Sequence, residues 1–338
     1  MTSEWTRCGD SADPGSLHHD THWGIRTGRL PRLNCDATVR TGCNRLGVGR
    51  NTPRCVANPA SRGPFGSILR AMRSLLPLVG AAAVAYGVLC VWVFFTQRDQ
   101  IYFPTPASEA PAAQALWLES QGERIKVWVV PRPGSRALLY FGGNAEDVAG
   151  NVERFADAFP DRSLYFVNYR GYGGSSGRPS EAGLVADALA VFDHVQREHP
   201  EVAVVGRSLG SGVAVQLAAE RPVERMVLVT AFDSLANVAR EYFRWLPVGL
   251  LMRDRFESAP RAPQVSAPVL VVTAGEDEII PRKRSEALAA AFAPGQVRVV
   301  VVPGVGHNTL DLSPRYLGSV AAFLAESPAA AHAQAGTK

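Results

Sequence analysis

The pentapeptide Gly206-Arg207-Ser208-Leu209-Gly210 sets a serine between two glycines, directly after the β-branched run Val202 to Val205 and at the head of an apolar helical stretch. A G-x-S-x-G turn between strand and helix holds its serine strained, with the hydroxyl exposed, and its glycines let neighbouring backbone pass close by. Ser208 is therefore the candidate nucleophile. A serine hydroxyl is a weak nucleophile at neutral pH and needs a positioned base, itself oriented by an acid. Both residue types follow. Asp277 lies in Gly275-Glu276-Asp277-Glu278-Ile279-Ile280-Pro281 after the run Val269 to Thr273, and His307 lies in Pro303-Gly304-Val305-Gly306-His307 after the next apolar run. Glu276 and Glu278 compete for the acid's part, and the place of Asp277 within its motif favours it. Of the other histidines outside the N-terminal segment and the tail, His194 and His199 flank the end of a helical stretch and read as solvated. Arg207 and Ser211 read as structural.

Acyl transfer at a serine also needs hydrogen-bond donors for the oxyanion, in most such sites backbone N–H groups. One is Leu209, directly after the serine. The second is expected in Gly142-Gly143-Asn144-Ala145, after the run Ala137 to Phe141, with Asn144 as the donor and a plain Gly-rich turn as the alternative. A further Gly-rich loop, Arg170 to Gly177, invites a phosphate-binding reading. That reading fails, because no Lys-Ser or Lys-Thr follows the last glycine and Ser176 breaks the G-x-G-x-x-G spacing; the loop reads as a shaped segment beside the site.

The elements needed to position these residues are present in the right order. After Gln100, short β-rich runs alternate with amphipathic stretches of helix length, the pattern of a mostly parallel sheet with helices on both faces, an α/β fold. Two runs around Gln121-Gly122, Ala115 to Leu118 and Arg124 to Val130, predict an antiparallel hairpin. Strands follow at Ala137 to Phe141, Ser163 to Val167, Val202 to Val205, Met226 to Val229, Val269 to Thr273 and Val297 to Val302. Helices are predicted at about 146 to 158, 181 to 198, 209 to 220, 283 to 293 and 314 to 325, with Ser180 and Glu181 supplying an N-cap and a first-turn acid. Ser208, Asp277 and His307 then fall at one carboxyl edge of the sheet, where open α/β sheets place their sites. Residues 231–266 depart from the alternation and carry Phe232, Leu235, Phe243, Trp245, Leu246 and Leu250, which predicts a small helical cap with some of these residues lining the site.

Composition bounds the rest. With 46% hydrophobic and 20% charged residues among 338, the chain can bury a large core and is not mainly disordered. Residues 1–73 hold eleven Arg and no Lys against five acids, a net +6, so the chain's overall +4 leaves −2 for everything after them. The basic character belongs to the N-terminal segment, and no footprint for nucleic acid remains. Four of the five cysteines, Cys8, Cys35, Cys43 and Cys55, lie in that segment. With His22 they lack the CxxC or HxxxH spacing that pre-arranges two metal ligands, and no metal is expected.

Residues 1–71 show no periodicity and read as a disordered extension, with Met72 as an alternative start of translation. The stretch Leu75 to Phe95 is twenty-one residues without a charge, which as a helix spans about 31 Å against a hydrocarbon core of about 30 Å. Residues 74–96 are thus expected to be one transmembrane anchor, with Trp92, Phe94 and Phe95 at the interface. A signal peptide cleaved near Ala81, Ala83 or Ala85 and a buried soluble helix are the alternatives. The arginine excess before the helix keeps the N-terminus cytoplasmic and puts the domain over 100–326 on the other side. Residues 327–338 read as a flexible tail.

Taken in order, Ile101-Tyr102-Phe103-Pro104, Gly143-Asn144-Ala145, Tyr169-Arg170-Gly171-Tyr172-Gly173, the serine turn, Trp245-Leu246-Pro247 and the Asp277 and His307 motifs resemble the α/β-hydrolase superfamily. Within it they resemble the single-pass, membrane-anchored serine hydrolases called alpha/beta-hydrolase-domain proteins. The resemblance covers Gln100 to Glu326. It implies the α/β-hydrolase fold and a Ser-Asp-His hydrolase of esters or thioesters with no metal or organic cofactor. One departure stands out: Gly142 occupies the place where a His commonly precedes the Gly-Asn pair, leaving the backbone donor available and the rigidity of the oxyanion loop open. The expected function is a membrane-anchored serine hydrolase acting on a small-molecule or lipid-like acyl substrate. A peptidase of the same fold and a non-catalytic tethered binding module are the alternatives.

Overall fold

The structure, a computed structural model, describes residues 64–326, all within the second of the two units into which the chain divides (Gly63–Lys338). The cysteine-bearing segment, most of the expected extension and the expected tail lie outside the described residues. The first element is a long helix, α1 (Pro64–Ile101), 38 residues. It starts earlier than the anchor read from hydropathy and includes the last eight residues of the expected disordered extension. Pro64 opens it at the position where a missing N–H costs nothing, and an apolar criterion does not register a polar helical turn. Within Ala71–Ile101 an 18-residue window reaches a mean hydropathy of 2.3, and the helix is long and apolar enough to cross a membrane. Its apolar side chains, among them Leu75, Leu78, Val79 and Val84, are exposed. At its C-terminal end, Gln97 is buried and Ile101 leads into the buried Tyr102.

Strands and helices then alternate. The chain runs β1 (Gln114–Ser120), β2 (Glu123–Val130), β3 (Arg136–Phe141), α2 (Val152–Ala158), β4 (Ser163–Val167) and α3 (Glu181–Val195). It continues through β5 (Glu201–Arg207), α4 (Leu209–Glu220), β6 (Met226–Val229), α5 (Leu235–Tyr242) and α6 (Val248–Leu251). Last come β7 (Val269–Ala274), α7 (Arg282–Ala289), β8 (Val297–Val302) and α8 (Pro314–Ala325). The eight strands form one sheet in the order β1-β2-β4-β3-β5-β6-β7-β8, antiparallel at β1–β2 and β2–β4 and parallel from β4 to β8. Gln121 (φ 51°) and Gly122 (φ 81°) make the two-residue turn of the β1–β2 hairpin, whose left-handed residues match the strand twist.

The inner strands β3 to β7 are buried on both faces, as parallel strands covered by helices are, while the edge strands β1 and β8 are partly exposed. Along β3 to β7 successive side chains alternate between two cores: Leu139, Val204, Leu228 and Val271 pack with α3, α4 and α7, while Tyr140, Val205, Val227 and Val272 pack with α2 and α8. α4, α8, β4, β6 and β8 have the bounds that the sequence predicts, because each is a run of one periodicity with a clear stop. Elsewhere helix ends differ. The helix expected from 146 opens as a single tight turn, Val148–Asn151, capped by Asp147 Oδ1 on Ala149 N–H (3.1 Å), before α2 begins. α3 stops at Val195 and α7 at Ala289, three and four residues short.

His199, expected in solvent, is buried. Its ring nitrogens lie 3.1 Å from Gly134 O and 3.1 Å from Tyr165 Oη, so it ties the end of the α3 segment to the sheet. The α3 helix itself is half core, burying Leu184, Ala188, Val191 and Phe192. The 231–266 insert forms α5, α6 and a short turn at Ala262–Gln264, closed by a bridge between Ser234 and Glu257. Of its apolar residues Phe232 packs into the core, whereas Tyr242, Phe243, Trp245 and Leu250 are exposed.

Candidate active site

The β5–α4 turn is as tight as its glycines imply. Ser208 has φ 49° and ψ −113°, a strained conformation for a residue with a side chain. A Cβ at Gly206 would collide with Gly210 O and come within 2.7 Å of Ala214 Cβ, and one at Gly210 would collide with Phe141 O. The elbow therefore exists only with glycine on both sides of the serine.

Three loops converge on it. His307 Nε2 lies 3.0 Å from Ser208 Oγ, and His307 Nδ1 lies 3.0 and 2.9 Å from the two carboxylate oxygens of Asp277. The His307 and Asp277 side chains are both 5% exposed, so the pair interacts away from bulk water. Asp277 Oδ1 also accepts the N–H groups of Ile279 (3.0 Å) and Ile280 (2.7 Å), which fixes the carboxylate at the end of β7. Its two acidic neighbours do other things. Glu276 points to solvent, and Glu278 Oε2 accepts His307 N–H (3.0 Å), a bond that holds the Glu278 carboxyl below the usual carboxylate range. Such a line of groups can withdraw the hydroxyl proton of Ser208 and stabilise the imidazolium that results.

Of the two expected oxyanion donors, Leu209 directly follows the serine and opens α4, and Asn144 follows Gly143, where an added Cβ would stand 3.6 Å from Ser208 Cβ. Among the described residues, neither Leu209 N–H nor Asn144 N–H donates to another group. The Asn144 side chain is a clamp: Nδ2 donates to Ile101 O (2.5 Å), while Oδ1 accepts Phe103 N–H (3.0 Å) and the Tyr172 hydroxyl (2.8 Å). Tyr169 donates to Gly142 O (2.8 Å). Tyr169 and Tyr172 thus brace the loop of residues 142–145, in a place where Gly142 offers no side chain.

Glu146 is the residue that sequence reasoning missed. Its Oε2 accepts Gly143 N–H (2.6 Å) and pairs with Arg207 Nη1 (2.8 Å), and its Oε1 accepts the Tyr140 hydroxyl (2.6 Å) and Asn151 Nδ2 (2.6 Å). Arg207 Nη2 donates in turn to His307 O (3.2 Å). One buried ion pair therefore joins the loop of residues 142–145, the serine turn and the histidine loop. The only hint in the sequence is an acid three residues beyond Gly143. Burial pushes the Glu146 carboxyl up, but the Arg207 guanidinium, the Tyr140 hydroxyl and Gly143 N–H outweigh it, and its pKa falls below the usual range.

A carboxyl depressed in the folded state contributes stability that is fully present above its unfolded value, about 4.3, and that is lost as pH falls through the folded value. Thermal melts of the detergent-solubilised chain should show the wild type losing stability below that pH. Glu146→Gln, which leaves the buried Arg207 with only the more distant Asp311 (3.8 Å) as an ionic partner, should cost up to about 3–5 kcal/mol near neutrality, with the gap to wild type narrowing in acid. A gap independent of pH would mean that the ion pair is not what Glu146 contributes.

Among the described residues no cluster of three or more His, Cys, Asp or Glu is placed to hold a metal ion. A family model described as serine aminopeptidase, S33, of the Hydrolase_4 family matches residues 135–252. Uncharacterized protein Rv2307c of Mycobacterium tuberculosis is 39% identical over 253 residues, covering 70% of this chain and 89% of that one. Protein bem46 of Schizosaccharomyces pombe is 25% identical over 296 residues, covering 78% and 97%. The chain belongs to the α/β-hydrolase superfamily. Solved members share its fold: the Pyrococcus furiosus esterase Pf2001 superposes with TM-score 0.54 at 15% identity, covering 66% of this chain and 98% of that one. MGS-M2, an alpha/beta hydrolase from a deep-sea metagenome library, gives 0.53 at 16%, covering 63% and 98%. Membership in the superfamily puts the general activity among the hydrolases. The mostly parallel sheet, the helices on its faces and the apolar N-terminal helix are the fold that the sequence predicts.

Proposed function

We propose that this protein is a membrane-anchored serine hydrolase of carboxylic ester or thioester bonds in acyl substrates. The observation that carries the reading is the hydrogen-bonded line Ser208–His307–Asp277 at the carboxyl edge of the sheet. Ser208 Oγ attacks the acyl carbonyl as His307 Nε2 takes its proton, and Asp277 holds the His307 Nδ1 proton and stabilises the imidazolium. Leu209 N–H and Asn144 N–H receive the oxyanion. The imidazolium then protonates the leaving alcohol or thiol, and the same base activates a water that attacks the acyl-enzyme and releases the acid.

A fluorophosphonate probe tests the nucleophile, and a panel of esters, thioesters and aminoacyl amides tests the bond cleaved. Labelling at Ser208 with ester or thioester turnover is the expected result. The description of the matching family model favours one second reading, a serine aminopeptidase, and faster turnover of the amides than of the esters would select it. An unreactive serine would leave a binding module.

Within this reading α1 is the anchor, and the arginines before it keep the N-terminus cytoplasmic. The chain is expected to fractionate with membranes and to resist carbonate extraction. Protease added outside cells with a permeabilised outer barrier is expected to degrade the domain after Gln100. Full protection of that domain would reverse the orientation, and a soluble full-length chain would remove the anchor.

A further inference from the structure

Between the last turns of α1 and the α5–α6 cap lies a cavity of about 370 Å³, walled by Leu89, Trp92 and Ile101 on one side and Phe243, Trp245 and Leu251 on the other. We propose that this cavity takes the acyl chain of the substrate, so that the anchor helix is one wall of the substrate site and the chain enters sideways from the bilayer. The proposal rests on the ester or thioester hydrolase reading above.

Four observations carry it. The volume lies within the range of about 300–1,000 Å³ typical of small-molecule sites. The buried polar side chain in its wall is already satisfied: Gln97 Nε2 donates to Phe94 O (2.8 Å) and Leu251 O (3.0 Å), and Gln97 Oε1 accepts Arg253 N–H (2.7 Å); the exposed Gln100 donates Nε2 to Thr96 Oγ1 (2.8 Å). A polar ligand would find few free partners there, whereas an alkyl chain needs none.

The cavity also adjoins the catalytic loops. Ile101, a wall residue, carries the carbonyl that Asn144 Nδ2 holds, and a Cβ on the neighbouring Gly143 would stand 3.6 Å from Ser208 Cβ. Finally, the cap reaches far along α1. The Tyr86 hydroxyl donates to Trp245 O (2.7 Å), and Tyr86 lies fifteen residues before Ile101, about 22 Å along the helix. If α1 spans the bilayer, that tie lies within the hydrocarbon. The exposed Phe243, Trp245 and Leu250 then face acyl chains, and so does the cavity mouth.

The test uses the full chain in phosphatidylcholine nanodiscs and a decyl phosphonate with a diazirine at the end of its chain. Once the phosphonate has reacted with Ser208, irradiation should place crosslinks within residues 89–101 of α1 and 243–252 of the cap. Labelling of Ser208 with crosslinks confined to other segments would overturn the cavity assignment alone. Failure to label Ser208 would overturn the hydrolase reading and this inference with it. A second measurement fills the space: Leu89→Trp should lower the ratio of kcat/KM for decanoyl over acetyl esters by about tenfold or more, as the burial lost per methylene implies. Val84→Trp, on an exposed part of α1 outside the cavity, should leave the ratio unchanged. An unchanged ratio in Leu89→Trp, with short-chain probe labelling intact, would also overturn the assignment.

Discussion

Ser208→Ala is expected to abolish fluorophosphonate labelling and to lower turnover by about a millionfold, the scale seen when the nucleophile of a comparable triad is removed. The loss should be that large because no other hydroxyl can take its place. Ser211, the nearest serine in the sequence, donates its hydroxyl to Ser208 O (2.6 Å) and is fully buried. His307→Ala should lose about as much, since nucleophile and base act as a unit and their effects do not add. Single-turnover assays with an activated ester check both variants, and near-wild-type melting temperatures would separate lost chemistry from lost folding. Substantial turnover in Ser208→Ala would mean that the reaction does not pass through this serine.

Asp277→Asn should lower turnover by about ten-thousandfold while leaving the fold intact, because an amide facing His307 Nδ1 favours the wrong tautomer. The asparagine Oδ1 can still accept the Ile279 and Ile280 N–H groups, so the loop should hold. The neighbouring acids are the controls. Glu276→Gln should change little, its side chain being in solvent. Glu278→Gln keeps a carbonyl oxygen for His307 N–H and should cost far less than Asp277→Asn. If either glutamate variant were the crippled one, the acid's part would pass to that residue.

The sequence by itself determined the order of elements, the glycine-bounded serine and the strand ends at which an acid and a histidine wait. These are local patterns: a run of one periodicity, a turn that only glycine can make, a spacing readable within a few residues. Tertiary structure decided what depends on residues far apart in the chain. Of three consecutive acids, Asp277 meets the His307 ring, thirty residues away, Glu278 meets its backbone N–H, and Glu276 stays in solvent. Glu146 matters because Arg207, 61 residues on, is buried against it, and Arg207 reaches His307 a hundred residues further. His199 left solvent because Tyr165 and Gly134 come to meet it. The apolar cap residues also divided in a way composition could not foresee, with Phe232 in the core and the exposed Phe243 and Trp245 lining a cavity with the last turns of α1. Apolar character sets that a side chain leaves water; the packing of distant segments sets which surface it meets.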